Sequence, residues 1–436
     1  MTFMMRPIQP SLANTRASTS RPAARPQALR RTSRSMGVWL SVLATSLLLN
    51  ACGGGSSNHT AINLPGTGGG NLTQSALSAQ AQLGQKIFHD TSLSISGQQS
   101  CGTCHDPAFA HAQSNALPVQ FGGARLDVPG FRAVPSLRYL NLTPAFGIDK
   151  EGTASGGFDR DGRAPSLAAQ ALRPFMASHE MGNADPAEVI AKLQRTPYAE
   201  QFRSVFGAGI FSDANTAIER VTFALQQYQK EDPQFHPYDA KYDLFLAGKA
   251  SLTPAELRGL SLFNDKTKGN CAACHPSGKA PDGSGPLFTD FTFDALGVPR
   301  NTRIPATANA SYADLGLCGP DRIDLSDKAG LCGQFKVPTL RNVATRKVFF
   351  HNGQFTSLRE AVRFYVQRDT NPERWYPLLA SGEVDKFNDL PAAYRANVNI
   401  SEVPYNRQPG MTPALNEAEI EDLLQFLGTL TDGYRP

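Results

Sequence analysis

Cys101-Gly102-Thr103-Cys104-His105 and Cys271-Ala272-Ala273-Cys274-His275 are two copies of one spacing, C-x-x-C-H. That spacing attaches a c-type haem: the two thiols add to vinyl groups of the macrocycle, and the histidine binds the iron through an imidazole nitrogen. A lone C-x-x-C reads equally as a redox dithiol or half of a zinc site. The adjacent histidine, present twice, argues against both, and no further Cys/His pair stands at zinc-finger spacing. Two covalently bound c-type haems are therefore expected, held by Cys101, Cys104 and His105 and by Cys271, Cys274 and His275.

Upstream of the first motif, residues 1–35 hold seven arginines and no acid, Trp39 to Leu49 is an apolar run, and Leu49-Asn50-Ala51-Cys52 follows. This is a basic region, a short apolar stretch and a small residue before a cut. The stretch is too short for a spanning helix. A cysteine at the cut resembles a bacterial lipoprotein signal, with Asn50 an imperfect fit, so Cys52 would carry the lipid. Ordinary cleavage leaving Cys52 free is the other reading, and Met36 could serve as the start. The expected location is outside the cytosol, in the periplasm and anchored to a bacterial membrane by that lipid.

The whole chain of 436 residues has 42 basic and 38 acidic residues. Without the leader, 35 basic residues face 38 acidic ones, a formal net charge of −3. The basic character belongs to the leader, and no nucleic-acid footprint remains. Of the 7 cysteines, Cys318 and Cys332 are left over, and an oxidising compartment favours a disulfide between them rather than two buried thiols.

The expected organisation is a lipoprotein-type signal at 1–51, a flexible Gly- and Ser-rich tether at 52–78, an N-terminal haem domain at 79–245 and a C-terminal haem domain at 246–436. The fold class is mostly α, with two cytochrome-c-like haem domains and long ordered loops. Thr253-Pro254-Ala255-Glu256 reads as a capping box opening a helix that turns Leu257, Leu260 and Phe263 toward the second haem motif. Ser357-Leu358-Arg359-Glu360 reads as another, with Leu358, Ala361, Val362 and Tyr365 on one buried face. Further helices are expected from Asp213 to Lys230 and from Asn416 through Leu427.

With these features the chain resembles the di-haem cytochrome c peroxidase and MauG family, in its MauG/MbnH-like subtype. The resemblance rests on Leu83-Gly84-Gln85-Lys86-Ile87-Phe88, Asp161-Gly162-Arg163, Gln170-Ala171, Glu180-Met181-Gly182, Phe288-Thr289-Asp290-Phe291, Phe335 to Asn342 and His351-Asn352-Gly353. It implies His105 and His275 as proximal iron ligands. It also implies Gln170 and Glu180 as distal residues of haem 1, where a carboxylate can take a proton from hydrogen peroxide and return it to the leaving oxygen. Ordinary relatives block haem 1 with a histidine, but from Ala112 up to His179 there is none. His111 lies only six residues past His105, too near to cross to the other face. Haem 1 is expected to be open. At haem 2 the family's methionine is absent, and Tyr365 stands in its place as the expected sixth ligand. A hard anionic phenolate favours high oxidation states where a thioether favours Fe(II).

Three departures qualify the resemblance. Arg160 stands where many relatives have a tryptophan between the haems. The family's calcium positions read Ala133, Arg346 and Val348, which argues against calcium and makes Arg346 a substitute for its charge. Asp369 to Pro377, with Trp375 and Tyr376, reads either as a docking patch or electron exit, or as a loop packed on haem 2. The leading expectation is a peroxidase that reacts at haem 1, stores oxidising equivalents with the help of Tyr365 at haem 2, and oxidises a partner protein. Scavenging of hydrogen peroxide with a cytochrome or cupredoxin as donor is the enzyme rival. A di-haem electron-transfer or sensor protein is the non-enzyme rival.

Overall fold

Ser78 opens α1 (Ala79–His89), its hydroxyl accepting from the Ala81 amide and donating to Glu231. The computed structural model describes residues 77–280 and 283–436, so Cys52 and the expected signal lie outside the described residues. Thr73–Pro436 forms one compact unit. Its helices are α1, the short α2 (Cys101–Cys104), α3 (Leu167–Met176), α4 (Pro186–Leu193), α5 (Ala199–Phe206), α6 (Ala214–Glu231), α7 (Lys241–Leu246), α8 (Pro254–Asn264), α9 (Leu358–Gln367) and α10 (Glu417–Gly428). Strand structure among the described residues is confined to three two-stranded antiparallel pairs. The class is mostly α, as the capped amphipathic segments implied.

Two helix crossings organise the molecule. In the first, α1 lies on α6 with Gly84 at the crossing, where a Cβ would fall 2.0 Å from the Ala224 carbonyl oxygen. Leu83, Ile87 and Phe88 bury there with Val221, Leu225 and Tyr228. In the second, α8 lies on α10 with Gly259 at the crossing, and a Cβ would again fall 2.0 Å from a carbonyl, that of Asp422. Phe263 meets Phe426 there, centroids 5.2 Å apart. Each side chain of this size stabilises by about 1.5–3 kcal/mol when fully buried. One hydrophobic core runs from Leu83 to Phe235 and the other from Tyr242 to Leu430. Each haem motif follows the first helix of its crossing, so packing the helices also places the thiols and histidine.

The caps at Thr253 and Asn416 form with both reciprocal hydrogen bonds, and Asp213 caps α6. Two expectations need correction. Ser357 makes no side-chain cap on α9, and the Glu360 carboxylate pairs with Arg363 and Arg374. Leu257 is exposed, and α8 buries Gly259 and Phe263; the flush contact with α10 turns Leu257 to solvent. Cys318 and Cys332 are joined, S–S 2.25 Å. No helix among the described residues is long and apolar enough to cross a membrane.

Candidate active site

Each haem motif makes one turn and returns its chain to itself: the His105 amide bonds to the Cys101 carbonyl at 2.8 Å, and the His275 amide to the Cys271 carbonyl at 2.8 Å. Both imidazoles are then pinned through Nδ1. That of His275 lies 2.7 Å from the Phe288 carbonyl oxygen; that of His105 lies 3.1 Å from both the His111 and the Pro135 carbonyl oxygens. A carbonyl only accepts, so Nδ1 carries the proton and Nε2 keeps its lone pair. Burial, the largest cause, pushes His105 down to about 4 and also lowers His275. Both rings are neutral, the form an iron requires.

All four motif cysteines are unpaired thiols. Burial, again the largest cause, holds them protonated, at about 12 for Cys101, Cys271 and Cys274 and about 11 for Cys104. Among the described residues no three or more His, Cys, Asp or Glu cluster as a bare-metal site. Oriented single imidazoles beside unpaired thiol pairs fit c-type haems. A cavity of about 310 Å³ opens beside the second motif, lined by Cys271, Cys274, His275 and Tyr365 and reaching Gln170 and Arg160; Cys101, Cys104, His105 and Glu180 are not among its lining residues.

The surroundings of the two motifs differ. In the first half, Gln170 lies on α3 and Glu180 in the turn just after it. Glu180 keeps 42% of its side chain accessible although it lies deep among protein atoms. That depth and the neighbouring Asp159 push its pKa up to about 7, against the pull of Arg163 and Arg173. His179 Nε2 sits 3.9 Å from the Glu180 carboxylate; sequence reading used this histidine only as the end of a histidine-free stretch. His111 packs its ring between Phe88 and Phe235, and its contribution to the site is the carbonyl that holds His105.

In the second half, Tyr365 on α9 lies among Phe350, 5.5 Å away, and Tyr405, 6.2 Å away. Burial first, then Asp294, Cys271 and Cys274, raise its pKa, so the phenol is neutral in these surroundings. Met176, Met181 and Met411 are not among the residues lining the cavity. Three residues here escaped sequence reading. Tyr405 lines the same cavity. Arg368, with no exposed surface, bonds to Asp369 and to the Leu296 and Asn399 carbonyls and lies 4.4 Å from the Tyr405 ring. Asp294 accepts from Asn399. No periodicity marks these residues, which come from the end of α9, a two-residue strand and a turn.

Of the aromatic segment Asp369 to Pro377, Tyr376 is buried and donates to the Gly297 carbonyl. Trp375 meets Phe355 and Phe364 edge-on at 5.7 Å. The segment packs onto the aromatic cluster behind Tyr365, which favours the covering-loop reading over a free docking patch.

Residues 78–251 match the sequence profile of the di-haem cytochrome c peroxidase family. The methylamine utilization protein MauG of Paracoccus denitrificans is 36% identical over 85% of this chain and 93% of its own length. Cytochrome c551 peroxidase of Nitrosomonas europaea is 29% identical over 69% of this chain and 78% of its own. Among solved structures, the di-haem peroxidase BthA from Burkholderia thailandensis superposes with a TM-score of 0.74 at 38% identity, covering 82% of this chain and 86% of that one.

Proposed function

The chain belongs to the di-haem cytochrome c peroxidase and MauG family, and from that premise we propose a division of labour between its two haem sites that ends in oxidation of a partner protein. The coarser function is that of the family: a di-haem peroxidase-type oxidoreductase with two c-type haems, hydrogen peroxide as oxidant and a redox partner. In the proposal, Cys101 and Cys104, and Cys271 and Cys274, attach the haems covalently, and His105 and His275 are the proximal ligands. The haems supply the electrons that cleave the O–O bond and hold the oxidising equivalents that result.

The protein's own residues do the rest. Residues 79–245 form the peroxidatic half. Glu180, poised near neutrality by burial and Asp159, takes the first proton of peroxide and returns it to the leaving oxygen. Gln170 orients the peroxide by hydrogen bonding. Residues 246–436 form the electron-transfer half, where Tyr365 would bind the second iron and, deprotonated by that bond, would favour its higher oxidation states. Arg160, in place of a tryptophan, cannot itself be oxidised in passing, so exchange between the halves must bridge it directly. The same reading places the mature protein in the periplasm, tethered through 52–78 to a lipid on Cys52, with no calcium at Ala133, Arg346 and Val348.

The observation that carries the proposal is the difference in surroundings: Glu180 beside His179, Asp159, Arg163 and Arg173 in one half, and Tyr365 set among Phe350 and Tyr405 in the other. Mixing the di-ferric protein with one equivalent of hydrogen peroxide tests it. A near-infrared band shared by both haems, followed by modification of a co-expressed partner, supports it. Bis-histidine coordination of haem 1 at rest, shown by EPR, contradicts it. Steady turnover with a cytochrome or cupredoxin and no modified protein selects the scavenging activity that the likeness to cytochrome c551 peroxidase favours.

A further inference from the structure

Three consecutive carbonyls, those of Ala133, Val134 and Pro135, are each occupied by a nitrogen from a distant part of the chain. Arg160 Nε donates to Ala133 at 3.0 Å, Arg346 Nη2 to Val134 at 2.9 Å, and His105 Nδ1 to Pro135 at 3.1 Å. Arg346 also reaches the Val348 carbonyl at 3.4 Å. One extended strap therefore ties the proximal histidine of the first half to two guanidiniums beside the cavity of the second.

Among the described residues neither guanidinium makes an ion pair, and each side chain is bonded only to backbone carbonyls; Asp314 acts on Arg160 only at a distance. The carboxylates at hand are already engaged: Arg132 holds Asp161 and Asp314, each at 2.6 Å. Desolvation first, then the repulsion of Arg346 and Arg132, lower Arg160 to about 9 against the pull of Asp314, and desolvation lowers Arg346 to about 10. Two half-buried, neighbouring cations without an ion pair are costly and persist where a counter-charge completes the site. Both side chains line the cavity that holds Cys271, His275 and Tyr365, and their remaining N–H groups are available there. A guanidinium presents a fork that matches a carboxylate.

We infer that Arg160 and Arg346 are a carboxylate-binding pair that receives haem propionates at the junction of the two halves and fixes a positive charge between the irons. The same arrangement leaves the Ala133, Val134 and Val348 carbonyls no role as ligands to a cation. The inference depends on haem occupancy and not on what is oxidised, so it can fail while the proposed function stands, and the reverse.

The test uses the haem-loaded protein and its Arg160→Gln, Arg346→Gln and Arg346→Lys variants, with haem content and circular dichroism confirming loading and fold. The readouts are the propionate bending bands in resonance Raman spectra and the midpoint potentials. Removing the charge should favour the ferric state, lowering the reduced-to-oxidised ratio at fixed poise about tenfold, or ~59 mV for one electron, and should shift the propionate bands. Arg346→Lys should keep most of the potential but still shift the bands, because the fork is lost. If the Gln variants load no haem, the Lys variant decides alone. Bands and potentials matching the wild type in every loaded variant would overturn the inference. So would a wild-type potential that follows chloride at constant ionic strength, which would assign the cations to a free anion.

Discussion

The two halves are built alike up to the imidazole and differently beyond it. Each has a glycine-mediated helix crossing, a C-x-x-C-H turn and a histidine whose Nδ1 is pinned by a backbone carbonyl. Past that point the first half gathers ionisable groups: Glu180, Asp159, His179, Arg163 and Arg173. The second sets rings together, Tyr365, Phe350 and Tyr405, with the buried Arg368 against Tyr405. The proximal apparatus is a matter of short-range geometry and can be duplicated. The remaining surroundings draw on distant segments, α3 and the turn after it in one half, α9 and loops in the other, and it is there that the proposed proton-transfer site and redox store would differ.

The largest expected effect bears on the ionisable wall. Glu180→Gln should lower the second-order rate with hydrogen peroxide by about 10²–10⁴-fold, the usual contribution of a general base. The base is the carboxylate, so the wild-type rate should rise with pH through about 7 and level above it. The variant should be flat across that window, and a limb that survives would assign the titration elsewhere. Tyr365→Met should raise the midpoint potential of the second site alone, by a sizeable part of the ~0.8 V that axial ligands span. An unchanged potential would erase the distinction between the walls.

Smaller changes sharpen the comparison. Cys318→Ser with Cys332→Ser should cost about 3 kcal/mol for a loop of roughly 15 residues in the chain-entropy model, read from denaturant midpoints. Gln170→Leu removes a hydrogen bond worth about 0.5–1.5 kcal/mol, so the rate with peroxide should fall by roughly tenfold or less, with no change in pH profile. Ser166 caps α3 through its side chain whereas Ser357 does not cap α9. Ser166→Ala should therefore cost about 1 kcal/mol and Ser357→Ala much less; equal costs would mean that a Ser357 cap forms in solution.

Ser357 shows why a motif of four residues misleads: the pattern is right, but no side-chain cap forms and Glu360 pairs with Arg363 and Arg374. At Thr253 and Asn416 the caps form although Glu256 and Glu419 also pair with Lys241 and Lys268. Gln170, Glu180 and Tyr365 could be named because they stand in recognisable local blocks. Tyr405, Arg368, Asp294 and the Glu180–His179 contact carried no local signal.

The sequence by itself determined the two attachment motifs, the mostly α class, the cap-bounded helices and the family, because each depends on residues within a few positions of one another. Only the tertiary structure decided which carbonyls hold His105, that Arg160 and Arg346 converge on one strap, and that burial rather than a charged neighbour chiefly tunes Glu180. Arg160 lies 27 residues from its carbonyl partner and Arg346 lies 212 residues from its own. Such meetings are set by how two cores pack, and desolvation exists only once that packing has excluded water.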